Sequence, residues 1–253
     1  MAEKELNVID HLEELRKRII FTGIAFIVLF ILAFAFVEEI YRWIVKDLEV
    51  KLIVLGPSDI IWVYFMIAGV IAIAATIPIL ALQVWLFVNP ALNPSERKAT
   101  LTYIPSLFLL FILGLSFGYF IIFPTILDFL LNLGEDMFVA NFTAQKYFGF
   151  LMSMTIPMAI LFELPAVTMF LTSIGLINPY ALAKVRKYAY FVLIVIAVII
   201  SPPDFMSDFL VAIPLLLLYE ISISLSKIVY KRRQKRLADY DEEYQDYEID
   251  EYK

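Results

Sequence analysis

Residues 148 to 174 read FGFLMSMTIPMAILFELPAVTMFLTSI, an apolar run with a single carboxylate, Glu163, near its middle. At 27 residues the run exceeds the ~20 residues that a membrane-spanning helix needs. An ionised carboxylate at that depth costs at least about 2.5 kcal/mol, so Glu163 must be paired, hydrated or protonated. The run therefore predicts a transmembrane helix that contains a functional acid.

Apolar runs of similar length occupy most of the rest of the chain. Of the 253 residues, 62% are hydrophobic and 18% are charged, and the mean hydropathy is +0.83, well above the level of a water-soluble domain. We predict an all-α membrane protein with six spans. The predicted spans are residues 19–37, 62–88, 101–123, 148–174, 188–201 and 209–226.

Basic residues are distributed unevenly between the two ends of these spans. The N-terminal segment, residues 89–100, residues 175–187 and the C-terminal segment hold 16 of them, and the other three connections hold 4. By the positive-inside rule, this distribution predicts that both termini lie in the cytoplasm and that the number of spans is even.

The residue types restrict the chemistry that is open to the chain. There is no cysteine, and the only histidine, His11, lies in the polar N-terminal segment. This argues against thiolate chemistry, against a histidine-ligated metal and against a Ser-His pair within the membrane.

Three segments outside the long spans also have predictable structure. Segments 38–61 and 124–147 are amphipathic and predict ordered caps at one face of the membrane. Span 188–201 is short and is followed at once by Pro202-Pro203, which predicts a helical hairpin whose turn lies below the membrane surface. Residues 1–230 then form one membrane domain, and the charged segment 231–253 predicts a disordered cytoplasmic tail.

Local physics leaves several acidic residues with two interpretations. Glu163 is either a neutral acid hydrogen-bonded to a neighbouring helix or a functional contact, and Glu220 is close enough to the membrane surface to reach it. Glu96 suits the first turn of a helix, where an acid interacts well with the helix dipole. The charges around Glu14 and Arg16 are typical of residues that flank a span.

Short motifs spaced along the chain from His11 to about Tyr230 closely resemble the TatC family, the core receptor subunit of the twin-arginine protein translocase. The motifs are His11-Leu12-Glu13-Glu14-Leu15-Arg16, Phe87-Val88-Asn89-Pro90-Ala91-Leu92, Glu96-Arg97-Lys98, Phe123-Pro124, Phe162-Glu163-Leu164-Pro165, Ser201-Pro202-Pro203-Asp204 and Ile213-Pro214. Each motif alone is weak, but their common order across six spans is specific.

The resemblance implies a curved, glove-like bundle in the cytoplasmic membrane, without catalysis or a cofactor. It implies that the protein binds Arg-Arg signal peptides of folded cargo, recruits single-span subunits of the TatA and TatB type, associates with itself, and exports cargo using the proton motive force. The residues it assigns to signal-peptide binding are Glu14, Arg16, Phe87 and Glu96. Those it assigns to docking of partner helices within the membrane are Glu163, Ser201 and Asp208.

The chain departs from the family at three places, one of them Asp208, where some members have an amide, and two other function classes stay open. Ser201 stands where the family usually has threonine, and Val45-Lys46-Asp47-Leu48 lacks the proline of the family's first outer loop. A small secondary transporter with Glu163 as its proton or ion site is the main alternative, although such folds usually show internal repeats. A purely structural scaffold is the third class.

Overall fold

The computed structural model describes residues 2–46, 52–89, 103–134 and 141–251, and their regular structure is almost entirely helical, which confirms the all-α prediction. The helices in chain order are α1 (Ala2–Ala35), α2 (Val37–Val45), α3 (Pro57–Val88), α4 (Tyr103–Phe117), a π-helical turn (Gly118–Ile122), α5 (Phe123–Gly134), α6 (Ala144–Leu161), α7 (Leu164–Ser173), α8 (Pro179–Lys184), α9 (Arg186–Ile200) and α10 (Phe205–Glu251).

Within the described ranges, five helical stretches are long and apolar enough to cross a bilayer. They are His11–Ala35, Pro57–Val88, Tyr103–Leu133, Ala144–Ser173 and Phe205–Lys235. The fifth predicted span, residues 188–201, corresponds to α9, whose 15 residues are about 22 Å long at 1.5 Å per residue, less than the ~30 Å hydrocarbon core. This agrees with a short fifth span that turns back directly into α10.

The apolar run that contains Glu163 is interrupted and does not form one continuous helix. Helix α6 ends at Leu161 and α7 begins at Leu164, so that Glu163 occupies the N-cap position of α7. Pro165 has no backbone N–H, and the carbonyl of Leu161 therefore loses its normal helical donor four residues on. Pro165 thus marks the point where one helix ends and the next begins.

A second proline is preceded by a local change of helix type. The π-helical turn Gly118–Ile122 comes just before Phe123-Pro124, where the helix must accommodate a missing backbone donor. Gly118 packs tightly against α6: a Cβ atom at this position would lie 2.7 Å from Cα of Thr155. Only glycine permits this approach of the two backbones.

The two amphipathic segments predicted as caps are ordered where the structure describes them. The first forms α2, and a short parallel bridge joins it to the second. In that bridge Ile53 N–H donates to Phe142 O at 2.9 Å, and Ala144 N–H donates to Ile53 O at 2.8 Å.

The chain contains two compact units, one made of Met1–Phe87 and Phe108–Ile160 and the other of Val88–Leu107 and Leu161–Lys253. The first unit buries Phe111 with Ala74 and Ala159. In the second unit α10 packs on α7, and a hydrogen bond of 2.6 Å joins the buried hydroxyls of Thr172 and Ser226. The single membrane domain over residues 1–230 stays a prediction.

Helix α10 continues without a break to Glu251, and the predicted disordered tail over residues 231–253 stays a prediction. The sequence after Tyr230 is rich in Lys, Arg, Glu and Gln, which are good helix formers. Extending an existing helix requires no new nucleation step, so this segment stays helical without a core of its own.

Candidate functional site

Five side chains meet where the first turns of the apolar part of α1 face the C-terminal end of α3, and we call them the α1–α3 cluster. They are His11, Glu14, Arg18, Gln83 and Phe87. Arg18 Nη2 donates to Glu14 Oε1, and Arg18 Nη1 donates to Gln83 Oε1 at 3.4 Å. The His11 ring stacks on the Phe87 ring with 4.1 Å between centroids and 19° between planes.

Glu14 is the acceptor at the centre of this cluster. Its Oε2 lies 3.7 Å from His11 Nδ1, while Oε1 accepts from Arg18, and its side chain keeps 37% of its surface exposed. A carboxylate offers about four lone-pair sites, so Glu14 retains acceptor capacity toward a further donor. The cluster therefore presents a half-exposed carboxylate beside an aromatic ring, which is a suitable arrangement for a guanidinium.

The predicted signal-peptide residues are only partly brought together. Glu14 and Phe87 both belong to the cluster, joined through His11. Arg16 is exposed on α1 and makes no hydrogen bond or ion pair with another described residue that would bring it into the cluster. Glu96 falls outside the described residues, so its assignment stays a prediction.

Arg18 and Gln83 were not singled out from the sequence. A pair of opposite charges four residues apart, Glu14 and Arg18, is a known helix signal and could have drawn attention to Arg18. Gln83, an amide in an otherwise apolar run, is a second signal, but its contact with Arg18 spans 65 positions of the chain. Local patterns do not reveal such a long-range pair.

Glu163 shows the most unusual environment among the intramembrane acids. Both carboxyl oxygens are buried, and neither has a hydrogen-bond partner among the described residues. Buried polar atoms in proteins are nearly always satisfied, and an unsatisfied one costs free energy. One interpretation of the sequence was that a neutral Glu163 hydrogen-bonds to a neighbouring helix. The described residues contain no such hydrogen bond.

Ser201 and Asp208, the other predicted docking residues, contact each other across the turn between α9 and α10. Ser201 Oγ lies 2.8 Å from Ala197 O and also contacts Asp208 Oδ1, and its single proton can serve only one of them at a time. Asp204 Oδ1 accepts from Ser207 N–H at 2.8 Å and caps α10. Neither Ser201 nor Asp208 hydrogen-bonds to Glu163. The three predicted docking residues therefore form two separate places, Ser201 with Asp208 and Glu163 by itself.

Asp208 is the only charged residue in an open groove of about 340 Å³ beside this turn, which we call the hairpin groove. Its lining residues are Ile194, Val198, Phe205, Asp208, Phe209, Ala212, Ile213 and Leu216. The rings of Phe205 and Phe209 pack edge to face at 4.8 Å, and Phe205 keeps 76% of its surface exposed. An apolar groove with one polar residue is suited to an apolar helix that carries a single polar group.

Glu220 is held by two internal partners, which favours its structural interpretation. Arg186 Nη2 donates to Glu220 Oε2 at 2.9 Å, and the Tyr190 hydroxyl donates to Oε1.

Among the described residues, no group of three or more His, Cys, Asp or Glu side chains is placed to hold a metal ion.

Comparison with known proteins gives consistent matches over nearly the whole chain. The family model described as Sec-independent protein translocase protein (TatC) matches residues 10–214. The Sec-independent protein translocase protein TatCd of Bacillus subtilis (strain 168) is 56% identical over 235 residues, which cover 93% of this chain and 97% of that protein. TatCy of the same organism is 42% identical over 94% of this chain and 95% of its own.

The fold is also similar to a solved structure. A crystal structure of the twin-arginine translocase receptor TatC has a TM-score of 0.74 and 36% sequence identity, and the match covers 87% of this chain and 99% of that chain.

Proposed function

The chain belongs to the TatC family and is a core subunit of the twin-arginine translocase, and from this premise we propose that its α1–α3 cluster binds the arginine pair of signal peptides. The observation that carries the proposal is the half-exposed Glu14 carboxylate beside the stacked rings of His11 and Phe87. An arginine side chain matches such a site better than lysine, because its planar guanidinium both pairs with a carboxylate and stacks on an aromatic ring.

Two carboxylates are needed for two arginines, and Glu96 is the proposed second one. It lies in the connection that follows α3, nine residues after Phe87. Arg18 already occupies one oxygen of Glu14, so an incoming guanidinium either shares this carboxylate or displaces Arg18 toward Gln83. Arg16, which the family resemblance also assigns to signal-peptide binding, lies outside the cluster, and its role stays a prediction.

Crosslinking of a synthetic signal peptide tests this site directly. A photoreactive amino acid at position 87 is expected to crosslink an Arg-Arg signal peptide, and a Lys-Lys version of the peptide is expected to crosslink about tenfold less. The same amino acid at position 65, an exposed aromatic position on the same helix, is the matched control and should give no crosslink. Equal crosslinking at 87 and 65, or of both peptides, would refute the assignment.

Partner subunits are proposed to dock within the membrane at two places. The hairpin groove, with Asp208 held by Ser201, suits an apolar single-span helix of the TatA or TatB type that carries one polar side chain. Glu163, whose buried oxygens have no donor among the described residues, suits a second polar contact. Self-association of the subunit in the assembled translocase belongs to the same proposal.

The proposed location is the cytoplasmic membrane with both termini in the cytoplasm. The chain has no cysteine, so each introduced cysteine is a unique label. Lys4→Cys, Arg97→Cys and Lys235→Cys are expected to react with an impermeant maleimide only from the cytoplasmic side, and Asp47→Cys and Asp136→Cys only from outside. The reagent is applied to intact and to opened cells, and an opposite pattern at any of these positions would rule out the topology.

A further inference from the structure

A second open groove lies on the first unit, between the N-terminal turns of α3 and α6, and we call it the α3–α6 groove. Its volume is about 400 Å³, and it is lined by Trp62, Gln145, Lys146, Gly149, Phe150 and Ser153. The proposed topology places this end of both helices at the outer surface of the membrane. The polar residues Gln145 and Lys146 lie at the start of α6, and the aromatic ones flank them.

Lys146 is an exposed cation at the N-terminal end of α6, where an anion would be favourable. It is the third residue of α6, where the helix dipole disfavours a positive charge. Among the described residues, no carboxylate forms an ion pair with it. It is also one of only four basic residues in the connections that are predicted to lie outside. A negatively charged ligand would offset these costs.

The wall beyond Lys146 is open and runs along the helix. A Cβ atom at Gly149 would meet no other atom within 4 Å, whereas one at Gly118 would collide with Thr155. The nine residues from Gln145 to Ser153 span about 12 Å along α6. Ser153 Oγ donates to Phe150 O at 2.8 Å and keeps its lone pairs as acceptors. The groove therefore has a charged mouth and a long, mostly apolar wall.

We propose that the α3–α6 groove binds an anionic phospholipid, with the headgroup phosphate at Lys146 and Gln145 and one acyl chain along Trp62, Gly149 and Phe150. A phospholipid combines these two chemistries, an anion and an apolar chain, at the depth where the helices begin. Aromatic rings and lysine side chains are the residue types that favour this interface.

Contact quenching of tryptophan fluorescence measures this binding without relying on export. The chain has three tryptophans, and the double change Trp43→Phe and Trp85→Phe leaves Trp62 as the sole fluorophore. The full chain is reconstituted in phosphatidylcholine vesicles that contain a small fraction of phosphatidylglycerol brominated on its acyl chain. Brominated phosphatidylcholine at the same fraction is the reference lipid, and quenching of Trp62 is expected to be stronger with brominated phosphatidylglycerol.

Two variants separate the headgroup contact from the acyl-chain contact. Lys146→Gln is expected to reduce the preference for phosphatidylglycerol about fivefold, while Lys146→Arg retains it. Gly149→Leu, which fills the wall, is expected to reduce quenching by both lipids. Matched controls are Lys46→Gln, a cation outside the groove, and Gly23→Leu, another glycine with open space around it.

Each other outcome overturns the proposal. Equal quenching by the two brominated lipids would show that the groove selects no anionic headgroup. Absence of quenching by either lipid would show that no acyl chain lies against Trp62. An unchanged preference for phosphatidylglycerol in Lys146→Gln would show that the charge of Lys146 does not recognise the headgroup. This variant is conservative and is expected to fold even if Gly149→Leu does not.

Discussion

Replacing Glu96 by arginine is expected to abolish binding of an Arg-Arg signal peptide and leave membrane insertion intact. The change converts an attractive carboxylate into a cation that repels both arginines of the signal. Like charges brought together at an interface cost several kcal/mol, which corresponds to at least about a hundredfold loss of affinity. Position 96 lies between two spans, so the apolar runs that direct insertion are unchanged.

The measurement is binding of a labelled signal peptide to the purified protein by fluorescence anisotropy, together with export of a folded twin-arginine cargo in cells. Glu39→Arg, which makes the same charge change on the exposed surface of α2, is the matched control and should bind normally. Full export by Glu96→Arg would mean that the second carboxylate of the signal site lies elsewhere.

Glu14→Ala is expected to weaken signal binding less than Glu96→Arg does, because it removes one carboxylate without adding a repulsive charge. A loss of about tenfold is expected for one charge-assisted contact. The structure adds a further test, since Arg18 competes for Glu14. Arg18→Gln should therefore leave affinity unchanged or raise it, and a large loss in this variant would mean that Arg18 binds the signal in its own right.

The helical architecture could be predicted from the sequence because the bilayer imposes a length and polarity on each span. The short fifth span and the prolines near Glu163 were both visible as local patterns. The continuation of α10 beyond Tyr230 was not visible in this way, because low hydrophobicity predicts the lack of a core but does not tell whether an existing helix continues into the segment. Whether a segment is helical depends on whether a helix already ends where the segment begins. The composition of the segment alone does not contain this information.

The site could be predicted only as far as individual residues. Glu14 and Phe87 were identified, but the His11 ring that joins them and the link from Arg18 to Gln83 depend on how two helices pack. The depth of Glu163 in the membrane was evident from the sequence. That no side chain of the described residues donates to it became visible only with the surrounding residues in place. Contacts between distant segments arise from tertiary packing, and one sequence carries no direct signal for them.

The second large effect is expected on export when Glu163, the intramembrane acid, is replaced by glutamine or by leucine. If Glu163 is a polar docking point, glutamine should keep export within about threefold of the wild type, because its amide still forms a hydrogen bond with a partner in lipid. Leucine offers no such group, and export should fall about tenfold or more. Crosslinking of a single-span partner from a photoreactive amino acid at position 167, an exposed position one helical turn from Glu163 on α7, is measured alongside export.

Stability separates this effect from misfolding. Both oxygens of Glu163 are buried and have no donor in the part of the chain that the structure describes, so removing them should not destabilise the isolated protein. Glu163→Leu is therefore expected to show an unchanged or higher thermal midpoint in detergent while it loses export. A lower midpoint would attribute the loss to folding, and Glu163 would then have an internal partner in the native state.

A proton-coupled transporter predicts a different order of the two variants. Neither glutamine nor leucine can titrate, so both would be inactive to the same extent if Glu163 carried a proton or an ion through the membrane. Docking requires only a hydrogen bond, which glutamine retains and leucine lacks. If both variants lose export equally while partner crosslinks persist in both, the docking role of Glu163 is wrong and a titrating role replaces it.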